Sequence, residues 1–508
     1  MYIYSPIFFT LFLSVSANIQ CPTDNIISDG VWPPGAIDMV QLPNDYVCVQ
    51  SFIIPVGFVV KLTVITDYPN ILKPDTFSII NSAGDTINFP PGTTTLFLPA
   101  SVARLFIVTK TDKSKAFIKY QFIDMRRYRN IPMKTGEYMK FDPQSLPESY
   151  TFTSQVGDKI TITPEPEDVN DKSNDDIYVY DGDSVSAPYL GTLATMVNTT
   201  IASTGKSITL VNFYNTPSTF WVIANDKSKI DNFLKYRLLL SGSGYATTGH
   251  FVNYLDQFTA FTIICKDCEE NHIIDFEFFG SSKMVQFAPM SPTHNLAPLL
   301  TYKPENDLAL PQKLQTKMFT MLVQNSDFQI TVSPIYEDWV KPYPGRMIQI
   351  FSPSLWDPSK PGSFFYKFES STVYNYSIQA NQVTIKDNGR LHMEIDNQSG
   401  SLVDEGNISC DSDRPPCTKT NIPEVVGKGQ MASVSYNGAS VQSNSWTTMK
   451  VTGVGGAPTT TTPTTISTIS TTSVPTRITT TSFETTTKSG TRIAYFVVFM
   501  ISIFVKFL

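Results

Sequence analysis

A short acidic stretch is the clearest candidate for chemistry in this sequence. It reads DDIYVYDGDSVSAPYLGTL, from Asp175 to Leu193, and places an alternating, strand-like segment between two groups of carboxylates. Carboxylates gathered from several loops can bind a hard divalent cation, which takes about 6–8 oxygen ligands. The alternative is that Asp171, Asp175 and Asp176 form a solvated run, since Asp is common in loops for turn geometry alone. The sequence leaves both interpretations open.

The residue types used in catalysis form no recognisable motif. The sequence contains no HExxH, no GxSxG, no phosphate-binding glycine loop and no EF-hand loop. Its four histidines are scattered without metal-ligand spacing: His250, His272, His294 and His392. His392 and Glu394 lie two residues apart on a predicted strand, where we expect a surface pair. We therefore predict that the protein is not an enzyme, with a hydrolase of unrecognised site as the remaining alternative.

Six cysteines in a secreted chain indicate disulfides. Their positions suggest three local pairs: Cys21–Cys48, Cys265–Cys268 and Cys410–Cys417. The middle pair lies in CKDC, which lacks the βαβ context of a thiol-redox motif, so a turn closed by a short bridge is expected. Zinc bound by the four later cysteines is the alternative.

Strands must position these residues, because the composition is that of a β-rich extracellular protein. The 508 residues include 16% charged and 12% aromatic residues and 35 prolines. From Asn18 to about Gly453, short alternating segments are separated by Pro, Gly, Asn and Asp, the pattern of a β-sandwich. No long helix is predicted. The net charge of −7 and the lack of a basic patch argue against a nucleic-acid partner.

Three segments share one plan, a strand, an acidic proline-containing loop and a second strand. They begin at Gly57 (GFVVKLTVI), Gly157 (GDKITITPE) and Ser326 (SDFQITVSP). The first two also share a tail, TDKSKAFIKYQF from Thr111 and NDKSKIDNFLKYRL from Asn225. Such repetition predicts stacked copies of one domain. The predicted modules are 18–125, 126–243 and 311–453, with a strand-rich segment of uncertain status at 244–310.

The stretch YVYDGDSVSAPYLGTL, followed by ANDKSKIDNFLKYRL, resembles the CUB domain, whose sequences run through Asp-Gly, a Pro-Leu-Leu-Gly-like stretch and Ser-Asp-x-Ser. The N-terminal module, with DGVWPPG, Cys48 and PVGFVVKLTV, more specifically resembles the CUB-like domains of nematode secreted proteins. The spacing of Cys21 and Cys48 suits the first CUB disulfide, whereas the cysteines of the second are absent. The resemblance implies an all-β fold of tandem CUB-like antiparallel β-sandwiches, followed by a disordered Thr/Ser/Pro stalk.

The resemblance also implies calcium ligands, because many CUB domains bind Ca²⁺ through a Glu, an Asp eight residues later and the Asp of the Ser-Asp-x-Ser turn. In the second module these positions fall on Glu167, Asp175 and Asp226. In the first module they fall on Asp67, Asp75 and Asp112, where the shorter Asp replaces Glu. In the third module Gly345 and Arg346 occupy the place of the second ligand, so no site is expected there.

A calcium ion in a CUB domain fixes acidic side chains so that they accept a Lys or Arg from a protein partner. The resemblance therefore implies that the second module recognises a basic side chain through a charge-assisted contact. The alternative is that Lys113 and Lys227 neutralise the aspartates of the two turns. Glycans remain a second class of ligand.

Both ends of the chain have the features of targeting segments. Residues 1–17 are predicted to be a signal peptide, with an apolar run that ends before Val15-Ser16-Ala17. Residues 454–492 are a Thr/Ser/Pro tract, predicted to be an O-glycosylated stalk. Residues 493–508 are hydrophobic and follow small residues, which predicts a lipid (GPI) anchor attached at Ser489 or Gly490. A single-pass membrane helix is the alternative, although about 20 apolar residues are normally needed.

We predict a glycosylated recognition or shielding protein on the outer face of the plasma membrane, in raft-like regions if a saturated lipid holds it there. N-glycosylation sequons occur at Asn198, Asn375, Asn397 and Asn407. The resemblance to nematode CUB-like proteins, a family associated with responses to pathogens and stress, implies a role in innate immunity. A mucin-like coat protein whose modules bind nothing tightly is the alternative.

Overall fold

The computed structural model describes most of the chain between residues 19 and 454. The described ranges are 19–69, 75–141, 147–166, 173–196, 202–214, 221–242, 244–304, 310–397, 399–410, 416–420, 422–438, 440–454 and 482–483. The predicted signal peptide, the 493–508 tail and three kinds of predicted site residue lie outside these ranges: Glu167, Asn198, and Ser489 with Gly490. Of the predicted stalk, Val454 and Ser482–Phe483 are described.

Nine strands form the first part of the chain, where apolar and polar residues alternate. They are β1 Gly30–Trp32, β2 Val40–Gln41, β3 Val47–Ile53, β4 Phe58–Asp67, β5 Thr76–Ile80, β6 Thr86–Asn88, β7 Gly92–Pro99, β8 Val102–Val108 and β9 Lys115–Asp124. They make two antiparallel sheets, ordered β1-β9-β4-β7 with β2 also on β9, and β3-β8-β5-β6. Inward side chains of both sheets, including Trp32, Phe52, Leu62 and Phe77, form one core. This part is a β-sandwich.

All but the last of the next nine strands fall into two further sheets. They are β10 Arg129–Lys134, β11 Tyr138–Lys140, β12 Glu148–Thr153, β13 Ile160–Pro164, β14 Ile177–Tyr180, β15 Tyr189–Thr192, β16 Ser207–Asn212, β17 Trp221–Asp226 and β18 Lys235–Ser241, with short helices α1 Leu193–Met196 and α2 Lys227–Ile230. One sheet has the order β10-β12-β16-β14-β15 and the other β11-β17-β13. Phe97 of the first sandwich packs against Phe213 and Tyr214, and its carbonyl accepts a hydrogen bond from the Tyr178 hydroxyl at 2.9 Å.

A second sandwich follows. Its later strands are β19 Thr247–Asn253, β20 Thr259–Cys265, β21 Asn271–Phe279, β22 Met284–Pro289, β23 Leu300–Tyr302, β24 Gln312–Leu314, β25 Met318–Gln324 and β26 Ser326–Ser333. The sheet orders are β18-β20-β25-β22-β23 and β24-β21-β26-β19. Phenylalanines from both sheets, including Phe251, Phe276, Phe287 and Phe328, form its core.

The last part is a seven-stranded sheet, ordered β27-β33-β28-β32-β29-β30 with β31 on β28. Its elements are β27 Met347–Phe351, α3 Pro353–Trp356, β28 Phe364–Ile385, β29 Arg390–Asp396, β30 Leu402–Ser409, β31 Cys417–Thr420, β32 Val425–Tyr436 and β33 Asn444–Gly453. A two-residue strand, β34 Ser482–Phe483, pairs instead with β19 of the second sandwich. Tyr376, Leu391, Val434 and Met449 lie in its core.

The predicted all-β fold is confirmed: the sheets are mostly antiparallel, and the helices among the described residues have at most four residues. The chain divides into two compact units, 1–134 with 140–161 and 167–220, and 135–139 with 162–166 and 221–508. This division passes through the predicted second module, and sheet pairings cross the predicted boundaries at 243 and 310. The modular division therefore stays a prediction. No helix in the described part is long and apolar enough to span a membrane.

Candidate functional site

In the first module, Asp75 is buried and its carboxylate is fully occupied by hydrogen bonds. Only 2% of the residue is exposed. Its Oδ1 accepts from the Lys110 amide, and its Oδ2 accepts from Thr111 Oγ1 at 2.7 Å and from Ser114 Oγ. Burial alone would raise the pKa of Asp75, but these hydrogen bonds outweigh it and hold the pKa below its ordinary value. The carboxylate therefore fixes the turn after β8 without a cation.

The two other predicted ligands of the first module do not complete a metal site with Asp75. Asp67 is exposed at the end of β4, and Asp112 is exposed in the turn, where its carbonyl accepts from Gln41. Across the described residues, no group of three or more His, Cys, Asp or Glu is placed to hold a metal ion. All three aspartates are described and the structure does not bring them together as a metal site, so calcium binding at Asp67, Asp75 and Asp112 stays a prediction that the geometry does not support. The physical reason is that protein donors already satisfy Asp75.

In the second module, Asp226 has the opposite character. It ends β17 and precedes α2, and only 2% of the residue is exposed. An Asp at this position normally accepts a hydrogen bond from an amide of the helix's first turn, but this side chain makes no capping bond. Its buried Oδ1 has no hydrogen-bond partner among the described residues. A buried carboxylate oxygen without a partner is costly, which indicates a missing cation or donor.

Nearby basic groups do not supply that cation. The ammonium of Lys227, which the sequence offered as a neutralising group, pairs with Asp231 instead. His294 lies within electrostatic reach of Asp226, but burial lowers the pKa of its imidazole, an effect that exceeds the opposing one of Asp226. The imidazole is therefore neutral at physiological pH and contributes no positive charge.

The remaining predicted ligands of the second module are only partly described. Asp175 lies in a 3₁₀ helix, Ser173–Asp176, immediately before β14, and is exposed. Glu167 lies outside the described residues. The prediction that Glu167, Asp175 and Asp226 bind one ion therefore stays a prediction, and the feature of the described residues in its favour is the unpartnered Oδ1 of Asp226.

In the third module, Arg346 has a structural role. It is 1% exposed, and its guanidinium donates to the carbonyls of Trp339, at 2.6 Å, of Pro311, at 3.0 Å, and of Lys341. Burial lowers the pKa of Arg346 to about 10, so the group stays protonated at neutral pH. A fixed positive charge at this position repels a metal cation.

The sequence reasoning missed the residues that surround the two aspartates. Thr111 and Ser114 lie inside the TDKSK stretch, so the sequence contained the hydroxyls that could have been predicted to bond Asp75. Thr293 contacts the Asp226 turn from 67 residues away, as its Oγ1 accepts from the Asp226 amide at 2.9 Å. No local pattern in the sequence indicates that contact.

The cysteines pair in the expected combinations. Disulfides join Cys21 to Cys48, Cys265 to Cys268 and Cys410 to Cys417, with Cα–Cα distances of 5.2, 5.6 and 5.9 Å. No cysteine is free among the described residues. The four later cysteines are therefore used by the disulfides, and zinc bound by them is not supported.

Three of the four sequons are described, and their asparagine side chains differ in exposure and in hydrogen bonding. Asn397 and Asn407 are exposed, and the recorded contacts of both side chains use Oδ1, with Ser399 and Ser401 for Asn397 and with His392 for Asn407. Asn375 is half-buried and its Nδ2 donates to the Gly453 carbonyl at 3.0 Å. His392 also lies 3.3 Å from Glu394, as a partly exposed pair on one face of β29.

Comparison with protein families supports the CUB resemblance for the N-terminal part of the chain. Residues 15–126 match the family model described as a CUB-like domain. Among solved structures, the CUB1-EGF-CUB2 domains of rat MASP-1 align at 14% identity over 40% of this chain and 98% of that chain, with a TM-score of 0.17. Those of human MASP-1/3 align at 14% identity over 39% of this chain and 96% of that chain, with a TM-score of 0.15. No curated protein sequence matches this chain significantly.

The first module is therefore CUB-like, as its sequence predicts.

Proposed function

We propose that this chain is an extracellular recognition protein in which the turn at Asp226 binds calcium and presents acidic oxygens to a basic side chain of a protein partner. The observation that supports this most directly is the buried Oδ1 of Asp226, which has no hydrogen bond among the described residues, while the adjacent Lys227 pairs with Asp231. A bound Ca²⁺ would supply the missing charge, and the Asp226 carboxylate would contribute a ligand.

Isothermal titration of the purified full-length protein with CaCl₂ tests the proposal. We expect saturable binding in the wild type and its loss in Asp226→Asn, because the substitution removes the anionic oxygen but keeps the shape. Asp112→Asn, the matched change in the first module's turn, should leave binding unchanged. Absence of calcium binding in the wild type, or full binding in Asp226→Asn, would contradict the proposal.

The proposed location is the outer face of the plasma membrane, with a GPI anchor at Ser489 or Gly490. The hydrophobic end and the Thr-rich stretch before it support this location. Treatment of intact cells with phosphatidylinositol-specific phospholipase C should release the protein into the medium. Retention on the cells would favour the single-pass alternative.

A role in defence against pathogens follows from the nematode CUB-like resemblance, and we propose it as the biological setting. The alternative, a coat protein, is favoured by the Thr-rich stretch and the exposed sequons Asn397 and Asn407. Pull-down with the full-length protein and glycan-array screening separate the two. A recognition protein should give a saturable ligand, whereas a coat protein should give none.

A further inference from the structure

A loop from the second sandwich is attached to the Asp226 turn. Residues Pro292–His294 form a 3₁₀ helix between β22 and β23. The Thr293 hydroxyl accepts a hydrogen bond from the Asp226 amide at 2.9 Å and donates one to Asn225 Oδ1 at 3.0 Å. The hydroxyl therefore acts as an acceptor for one residue of the turn and as a donor to the residue before it.

The loop has a second attachment next to the first. Ser291 Oγ lies 3.2 Å from the Gly136 carbonyl, to which it donates, and 3.1 Å from His294 Nδ1. The Gly136 amide in turn donates to the Ala224 carbonyl at 2.7 Å, two residues before Asp226. Gly136 has a φ of +88°, and a Cβ there would lie 2.6 Å from His294 Cε1, so only glycine fits.

These contacts replace the local devices that usually fix such a turn. Asp226 makes no side-chain cap for α2, and Asn225, which is fully buried, is bonded by Thr293 instead. The backbone of Asp226 is thus held from outside the turn, and its carboxylate is left without a bond at Oδ1. The direction of the backbone sets the direction of a short side chain. Thr293, which bonds the Asp226 amide, therefore controls where the Asp226 carboxylate points.

We infer that Thr293 is a positioning residue for cation binding at Asp226, an inference that rests on the calcium binding proposed above. Thr293 does not touch the ion; it orients a ligand through the main-chain amide and through Asn225. Residues that orient metal ligands typically change metal affinity by about 10- to 100-fold when they are replaced.

The test is calcium titration of full-length wild type, Thr293→Val, Thr293→Ser and the control Thr301→Val, which changes an exposed threonine on β23. Thr293→Val keeps the shape but removes the hydroxyl, so we expect about tenfold weaker binding. Thr293→Ser keeps the hydroxyl and should bind within about twofold of wild type. Thr301→Val should bind as wild type does. The melting temperature of each calcium-free variant is measured in parallel.

Equal affinity of wild type and Thr293→Val would overturn the inference while leaving the proposed calcium site intact. Failure of the wild type itself to bind calcium would instead remove the proposed site. If Thr293→Val does not fold, Ser291→Ala replaces it, because that change loosens the same loop at its other attachment. We expect Ser291→Ala to weaken calcium binding, and unchanged affinity in that variant would contradict the inference.

Discussion

At the scale of single residues, two aspartates show how surroundings decide the role of a carboxylate. Asp75 and Asp226 are equally buried, at 2% exposure. Thr111, Ser114 and the Lys110 amide donate to Asp75 on both oxygens, whereas Oδ1 of Asp226 has no partner in the described part of the chain. The first carboxylate therefore stabilises its own loop, whereas the second is the one at which we propose a bound cation.

Asp75→Asn should destabilise the first sandwich. At pH 7 we expect a loss of about 2 kcal/mol in the free energy of unfolding, because charge-assisted hydrogen bonds are lost. The folded pKa lies below the unfolded value of about 3.9, so this contribution is present above pH 4 and disappears as the pH falls through the folded pKa. Urea unfolding from pH 7 to pH 3 measures it, with the exposed Asp112→Asn as control. A pH-independent difference between Asp75→Asn and wild type would contradict this assignment.

His272 should make the protein less stable in mild acid. It is 4% exposed on β21, and burial lowers its pKa to about 4. Between pH 6.5 and pH 4 the His272 imidazole binds a proton in the unfolded chain but not in the folded chain. The free energy of unfolding therefore falls by about 1.4 kcal/mol for each unit by which the pH is lowered. His272→Gln should flatten this slope. Urea midpoints at pH 7, 6 and 5 provide the measurement, and an unchanged slope in His272→Gln would rule the explanation out.

At the scale of elements, local sequence patterns were sufficient to predict strands but not to predict which strands pair with each other. Alternation predicted β4 and β14, and the structure contains both. The tails TDKSK and NDKSK look alike in sequence, yet β9 after the first pairs antiparallel with β4, whereas β18 after the second pairs parallel with β20. Side-chain periodicity records which face is buried, and it does not record which strand lies alongside.

Arg346 joins two elements that the sequence did not connect. Its guanidinium bridges the 3₁₀ helix Glu337–Val340 and the Pro311 carbonyl before β24. Arg346→Met should cost about 3 kcal/mol in the free energy of unfolding, because buried carbonyls lose their donors. Arg390→Met, an exposed change on β29, should cost under about 0.5 kcal/mol. Thermal unfolding of both variants tests this, and equal melting temperatures would contradict a structural role for Arg346.

At the scale of the whole molecule, the sequence predicted the all-β class, the CUB-like first module and the cysteine pairs. It also predicted calcium in the first module, which the geometry does not support, because an amide and two hydroxyls 35–39 residues away in sequence donate to Asp75. The contact of Thr293 with Asp226 spans 67 residues and connects the predicted second module to the strand-rich segment 244–310. Such contacts depend on tertiary packing, so the sequence could identify candidate carboxylates without showing which of them other side chains of the described residues already bond.

The central claim is that an ion at Asp226 makes this chain a receptor for basic side chains. The most direct measurement is binding of fluorescent poly-L-lysine to the full-length protein in about 2 mM Ca²⁺, a concentration chosen from the affinity range of protein calcium sites. The measurement is repeated in excess EDTA and again after calcium is restored. We predict saturable binding that is lost in EDTA, recovered with calcium and absent from Asp226→Asn, while Asp112→Asn behaves as wild type. Binding that persists in EDTA and in Asp226→Asn would contradict the claim.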